Sequence, residues 1–146
     1  PLISPHHIDR VIDCHKKNMN IDIMLPHLMV KNFNNPNIVK IVSDKRDNIL
    51  YLSRAQIPFE FKSKNTFVKK HLSIISFLPN ALIQYSKSKK TDLEKIEDVE
   101  LLRALEIGLK IKTVKMKGDS FSVDVLKDFN KAKLKMKNDK IFKIYK

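Results

Sequence analysis

The chain has 146 residues, 42% of them hydrophobic and 31% charged, with only two glycines, so it is long enough for one domain with its own core and too apolar to be disordered. The formal net charge is +13, yet only four of the 29 basic residues are Arg and the lysines are scattered apart from Lys87-Ser88-Lys89-Lys90 and the tail, which argues against a nucleic-acid reader. One cysteine, Cys14, excludes an internal disulfide framework, and no apolar run approaches the ~20 residues of a membrane helix.

Ser4-Pro5 reads as a helix start, a hydroxyl cap followed by proline at the first helical position. Ile8, Val11, Ile12 and His15 then give a helical apolar face. His6, His7, Cys14 and His15 lack the spacing of a metal set. Cys14 reads as a core or half-buried thiol and His15 as a capping or packing residue. Ile21–Leu25 is a short strand closed by Pro26, and 27–37 is a loop in which nothing specifies a role for His27.

The stretch NPNIVKIVSDKRDNILYLSRAQIPF, from Asn35 to Phe59, reads as a β-hairpin. Its strands are Ile38–Ser43 and Ile49–Ser53, and the polar block Asp44–Asn48 is the turn. Arg54 follows a buried strand and precedes an exit fixed by Pro58. A rigid guanidinium for an anion belongs in such a place; the plain alternative is a surface arginine at a strand end.

His71–Phe77 is the third strand, and its leading histidine either packs or sits over a site. Pro79-Asn80 opens a short helix. Thr91-Asp92-Leu93-Glu94 has the form of a capping box for a helix in which Leu93, Ile96, Val99, Leu102 and Leu105 or Glu106 follow the helical period and which ends at Gly108. Glu94, Glu97 and Glu100 recur every three residues and lie near one face. A solvated face near the helix N-terminus accounts for Glu94, less well for Glu100. Leu109–Val114 is a strand. Asp124 then reads as the N-cap of a last helix, as a ligand for a hard cation, or as both. Leu126, Phe129, Ala132 and Met136 supply that helix with a buried stripe. The order α, β, β-hairpin, β, α, α, β, α fits a single α/β domain with a mixed sheet.

Five blocks, in order, resemble the CMP-Kdo synthetases, the 3-deoxy-manno-octulosonate cytidylyltransferase family. Pro1-Leu2-Ile3 matches the end of G-D-E-P-L-I, and the hairpin matches N-P-N-x-V-K-V-V with A-L-Y-F-S-R-A-P-I-P. His71–Ile75 matches H-x-G-I-Y, and 92–108 matches P-L-E-x-x-E-x-L-E-Q-L-R-x-L-E-x-G. The segment 122–129 matches G-V-D-T-P-E-D-L.

The resemblance implies the C-terminal part of a nucleotide-diphospho-sugar-transferase-like, Rossmann-like domain. It implies an enzyme that moves CMP from CTP to a 3-deoxy sugar acid with Mg²⁺, releasing pyrophosphate for lipopolysaccharide synthesis. Asp124 would be the catalytic metal ligand, and Arg54, His71, Glu100 and the position of Leu101 would line the sugar-acid site. The expected protein is cytoplasmic and homodimeric through the region after the hairpin, with no nucleic-acid or membrane partner. The family's nucleotide-binding half and first metal carboxylate would lie upstream of Pro1, so the isolated chain is expected to be inactive. Ser73, Ile75 and Leu101 stand where the family has Gly, Tyr and Gln, and all three changes are expected around the sugar pocket, where they would alter which sugar acid is accepted. Two other readings remain at this point: a non-catalytic relative of the same fold, and a basic nucleic-acid-binding module.

Overall fold

The computed structural model describes residues 3–31, 34–118, 123 and 125–144. Helix α1 (Pro5–Lys16) starts where Pro5 pre-sets the backbone, although the Ser4 hydroxyl makes no capping bond. Strand β1 (Ile23–Val30) follows and is the centre of the mixed sheet, six-stranded among the described residues. On one side it pairs in parallel with β6 (Ile111–Lys115). On the other it pairs antiparallel with β4 (Val68–His71) and β5 (Ser76–Phe77). Strands β2 (Lys40–Ser43) and β3 (Ile49–Ser53) form the expected hairpin, and β2 extends the sheet from β4.

Two expectations about strands are corrected together. Pro26 does not close β1, which runs through it to Val30, and 71–77 is not one strand. The segment 68–77 runs back along one edge of β1, but its residues 72–75 stand opposite only Leu25 and Pro26. Pro26 has no N–H to give a ladder, so the partner bulges there and resumes as β5. The Pro26 carbonyl still accepts the Leu72 N–H at 3.2 Å.

The turn of the hairpin is built on Asp44. Its carboxylate accepts the N–H groups of Arg46 and Asn48, each at 2.8 Å, and the Asn48 side chain at 2.8 Å. Asp47 takes a left-handed φ of 64°. From that tip, Asn48 forms one antiparallel bridge to Lys112, and the Thr113 N–H donates to the Asp47 carbonyl at 2.9 Å. The start of β3 therefore meets β6, and the sheet curls until its two outer strands touch.

Helices α2 (Pro79–Lys87), α3 (Asp92–Glu97) and α4 (Glu100–Glu106) cover one face. Ile23, Leu25, Ile41, Leu52 and Ile111 pack there against Ala81, Leu101, Leu102 and Ala104. Val11 of α1 packs with Met24, Leu28, Leu72 and Met116 in a second core. The alternation of Ile23 and Leu25 with Met24 along β1 supplies both cores from one strand.

The single helix expected from Thr91 is two. Asp98, at a left-handed φ of 50°, breaks it, and Val99 starts the second piece. The capping box does not form. Glu94 turns inward instead, its Oε2 lying 3.0 Å from Arg103 Nε, and the Arg103 guanidinium stacks 4.1 Å from the Tyr85 ring centre. Gly108 occupies its expected place after α4 with φ 84°, where the Leu109 N–H closes onto the Ala104 carbonyl at 2.9 Å.

Helix α5 (Leu126–Lys137) has Val125 at its N-cap position, with no side-chain capping bond, and α6 (Lys140–Ile144) follows; Asp124, the expected cap, lies outside the described residues. Ala132 is buried and Met136 half-buried, but Leu126 is 75% exposed and Phe129 is exposed as well, so the expected stripe is only partly covered.

Candidate functional site

Arg54, His71 and Glu100 come together at one end of the sheet, in a cleft of about 250 Å³. Asn37, Val39, Lys70, Ser73, Asp98 and Val99 complete its lining. Three different elements deliver the three predicted residues. Arg54 leaves the end of β3, His71 ends β4, and Glu100 opens α4 just past the Asp98 break.

Arg54 is tightly held. Its Nε donates to the Glu97 carbonyl at 2.8 Å, Nη1 to the Pro36 carbonyl at 3.1 Å and Nη2 to the Asp98 carbonyl at 3.0 Å. The Asp98 carboxylate is 3.9 Å away and 91% exposed, so as an ion pair it contributes little. A guanidinium carries five N–H donors, so one remains on each terminal nitrogen for a ligand.

The His71 main-chain N–H donates to the Val39 carbonyl at 2.9 Å. Its Nε2 is buried and has no hydrogen-bond partner among the described residues. Burial lowers the His71 pKa, and the negative charge of Glu100 opposes that only in part. The ring is therefore neutral at physiological pH, and one of its nitrogens is buried without a hydrogen bond among the described residues.

Beneath this cleft lies a charge that the sequence reading passed over. Lys40 is among the most buried side chains of the chain. Its ammonium donates to the carbonyls of Asn35 at 2.8 Å and Arg54 at 2.6 Å. Burial lowers its pKa, Glu97 raises it and Arg54 lowers it further. A lone lysine between Val39 and Ile41, in a strand otherwise apolar at that end, was the available signal. Glu97, Ser53 and Lys70 were also not predicted for this region. Glu97 lay on the every-third-residue acidic stripe, but only a broken helix separates it from Glu100 in role.

Leu101 does not line the cleft. It is 0% exposed, in the main core. Ile75 also packs against that core, so of the three substituted positions only Ser73 faces the cleft. The geometry thus corrects the expectation that all three surround a pocket. The α4 turn that presents Glu100 outward carries the next residue inward. Asp124 lies outside the described residues, and among those residues no group of three or more His, Cys, Asp or Glu could hold a metal ion.

The cleft offers a cationic fork, a neutral imidazole, an exposed carboxylate and a hydroxyl. That set suits a polyhydroxylated acid: the fork for its carboxylate, the acceptors for its hydroxyls.

The family model described as Cytidylyltransferase matches residues 1–111. The chain is 39% identical over 140 residues to a 3-deoxy-manno-octulosonate cytidylyltransferase of Thermodesulfovibrio yellowstonii, covering 90% of this chain and 55% of that protein. It is 38% identical over 127 residues to the protein of the same name from Fusobacterium nucleatum, covering 85% and 52%. An 8-amino-3,8-dideoxy-manno-octulosonate cytidylyltransferase of Shewanella halifaxensis is 36% identical over 132 residues, covering 88% and 54%. The chain spans about half the length of these curated relatives.

A solved structure of CMP:2-keto-3-deoxy-manno-octonic acid synthetase complexed with CTP shares the fold, with a TM-score of 0.87 at 23% identity over 94% of this chain and 58% of that one. The mixed α/β architecture expected from the sequence is thus found. Neither the non-catalytic nor the nucleic-acid reading is favoured by these likenesses. The match over residues 1–111, together with relatives of one activity class, shows that the chain belongs to the cytidylyltransferase family.

Proposed function

We propose that the full-length protein transfers CMP from CTP to Kdo or a related 3-deoxy sugar acid, releasing pyrophosphate, and that this chain supplies the sugar-acid side as the C-terminal half. The observation that carries the reading is the meeting of Arg54, His71 and Glu100 in one polar cleft. The names of the relatives support the reaction class. In this reading the two remaining Arg54 donors take the sugar carboxylate, and Glu100 accepts from its hydroxyls. The neutral His71 ring forms part of the cleft wall beside them.

Mg²⁺ belongs to the proposal, with Asp124 as its ligand. Bound there, it would offset the charge on the phosphate under attack. The proposal also includes a cytoplasmic setting, where CTP is made. Among the described residues no helix is long and apolar enough to cross a membrane.

The choice between Kdo and its 8-amino relative does not fall to Leu101, which is out of reach in the core. Ser73 is the substituted residue placed to touch substrate.

The test is pyrophosphate release by the full-length protein with CTP and each sugar acid. Arg54→Lys should raise KM for the sugar acid about 10-fold or more, by loss of a charged fork contact, with KM for CTP unchanged. No release with any 3-deoxy sugar acid would overturn the reaction. An unchanged sugar-acid KM would remove the cleft from it.

A further inference from the structure

One residue grips Arg54 at both ends. The Glu97 carboxylate accepts the Arg54 main-chain N–H at 2.9 Å and the Ser53 hydroxyl at 2.5 Å. The Glu97 carbonyl accepts Arg54 Nε at 2.8 Å. The main chain of the arginine is therefore bound to the side chain of the glutamate, and the main chain of the glutamate to the side chain of the arginine.

The break after Glu97 makes the second half of this clasp. In an unbroken helix the Glu97 and Asp98 carbonyls would be spent on N–H groups a turn later. The left-handed Asp98 ends α3 there, and both carbonyls turn to the guanidinium. Ser53 is itself buried and accepts the Ala55 N–H at 2.9 Å, so the end of β3 is fixed before the arginine begins. A glutamate on a solvated helix face has no reason to adopt such bonds.

We propose that Glu97 is a positioning residue: it clasps the end of β3 and so holds the Arg54 guanidinium aimed into the cleft for the carboxylate of the sugar acid. The inference rests on the sugar-acid reading of that cleft. An arginine that must order itself around each incoming anion gives up side-chain freedom at every binding event. Here the freedom is given up on folding, and the substrate meets donors already in place.

Two readouts on the full-length protein test it. The first is hydrogen exchange at the Arg54 main-chain N–H, which donates to the Glu97 carboxylate, in wild type and in Glu97→Ala. The second is KM for the sugar acid and for CTP in Glu97→Ala, Arg54→Lys and the double variant, with Glu97→Gln as the conservative replacement that keeps one acceptor.

The expected result is a slowly exchanging Arg54 main-chain N–H that loses its protection in Glu97→Ala while the fold is retained. Sugar-acid KM should rise about 10-fold, with CTP KM unchanged and Glu97→Gln intermediate. In the Arg54→Lys background Glu97→Ala should add little, because both changes remove the same contact. Protection that survives Glu97→Ala overturns the clasp. A sugar-acid KM that moves in Arg54→Lys but not in Glu97→Ala overturns the positioning role and leaves the cleft reading standing. Should protection be lost while neither variant moves that KM, the sugar-acid reading of the cleft falls, and the functional half of the inference with it. A Glu97→Ala protein that does not fold is replaced by Glu97→Gln, read on the same two scales.

Discussion

His27 shows how much a single residue can hide from a sequence. Nothing beside it in the chain gave it a role, because its neighbours come from far away. It is buried in β1 and bonded through Nδ1 to the Thr113 hydroxyl at 2.8 Å. Burial, with the positive charges of Lys69 and Lys115, lowers its pKa to about 4, against a smaller opposing effect of Asp47. The folded protein therefore keeps His27 neutral at a pH where the unfolded chain protonates it. Its contribution to stability is complete above pH ~6.5 and is lost as pH falls toward 4, by roughly 3 kcal/mol in all. His71, also lowered by burial, acts in the same direction. Urea unfolding followed from pH 7.5 to 4 should show this slope, and His27→Gln should flatten it; an unaltered slope would clear His27 of the effect. Arg54 was readable because hairpin and proline bracket it within a few residues. Lys40 and Glu97 were not, because what makes them matter is a partner on another element.

At the scale of elements, local chemistry predicted well where it decided the outcome alone. The Asp44 turn, the Pro5 and Pro79 helix starts and the Gly108 exit all depend on residues adjacent in sequence. It failed where a distant element decided. The bulge at 72–75 answers Pro26, and the split of α3 from α4 answers Arg54, which takes the carbonyls that the break releases. The break itself is testable. Asp98→Ala penalises the left-handed backbone and favours a continuous helix, so it should cost about 1 kcal/mol in chemical denaturation. Asp98→Gly, which adopts that backbone freely, should cost less and keep the sugar-acid KM. Equal costs for the two would mean that the backbone conformation is not what Asp98 contributes.

For the molecule as a whole, composition and element order were enough to reach a mixed α/β domain, and the family blocks were enough to reach the cytidylyltransferases. They were not enough to say which surfaces stay uncovered. Phe59 and Phe61, just past the hairpin, are 82% and 83% exposed. A neighbouring apolar cleft of about 310 Å³ is lined by Met29, Ile57, Pro58 and Phe67 among others. A homodimer through this region, expected from the family resemblance, would cover them, as would the rest of the full-length protein. Sedimentation of the full-length protein should show a dimer that Phe59→Ser with Phe61→Ser converts to monomer; a monomeric wild type would end the idea. The bridge from Asn48 to Lys112 has a separate consequence. An open ladder offers unpaired backbone at both margins, each a template on which another chain can add a strand. Here the two margins close on each other at the hairpin tip, and an intruding strand finds no free rim at that point. Loosening the tip, as Asn48→Pro would, should therefore show first as slow, concentration-dependent β-aggregation, ahead of any loss in the helices.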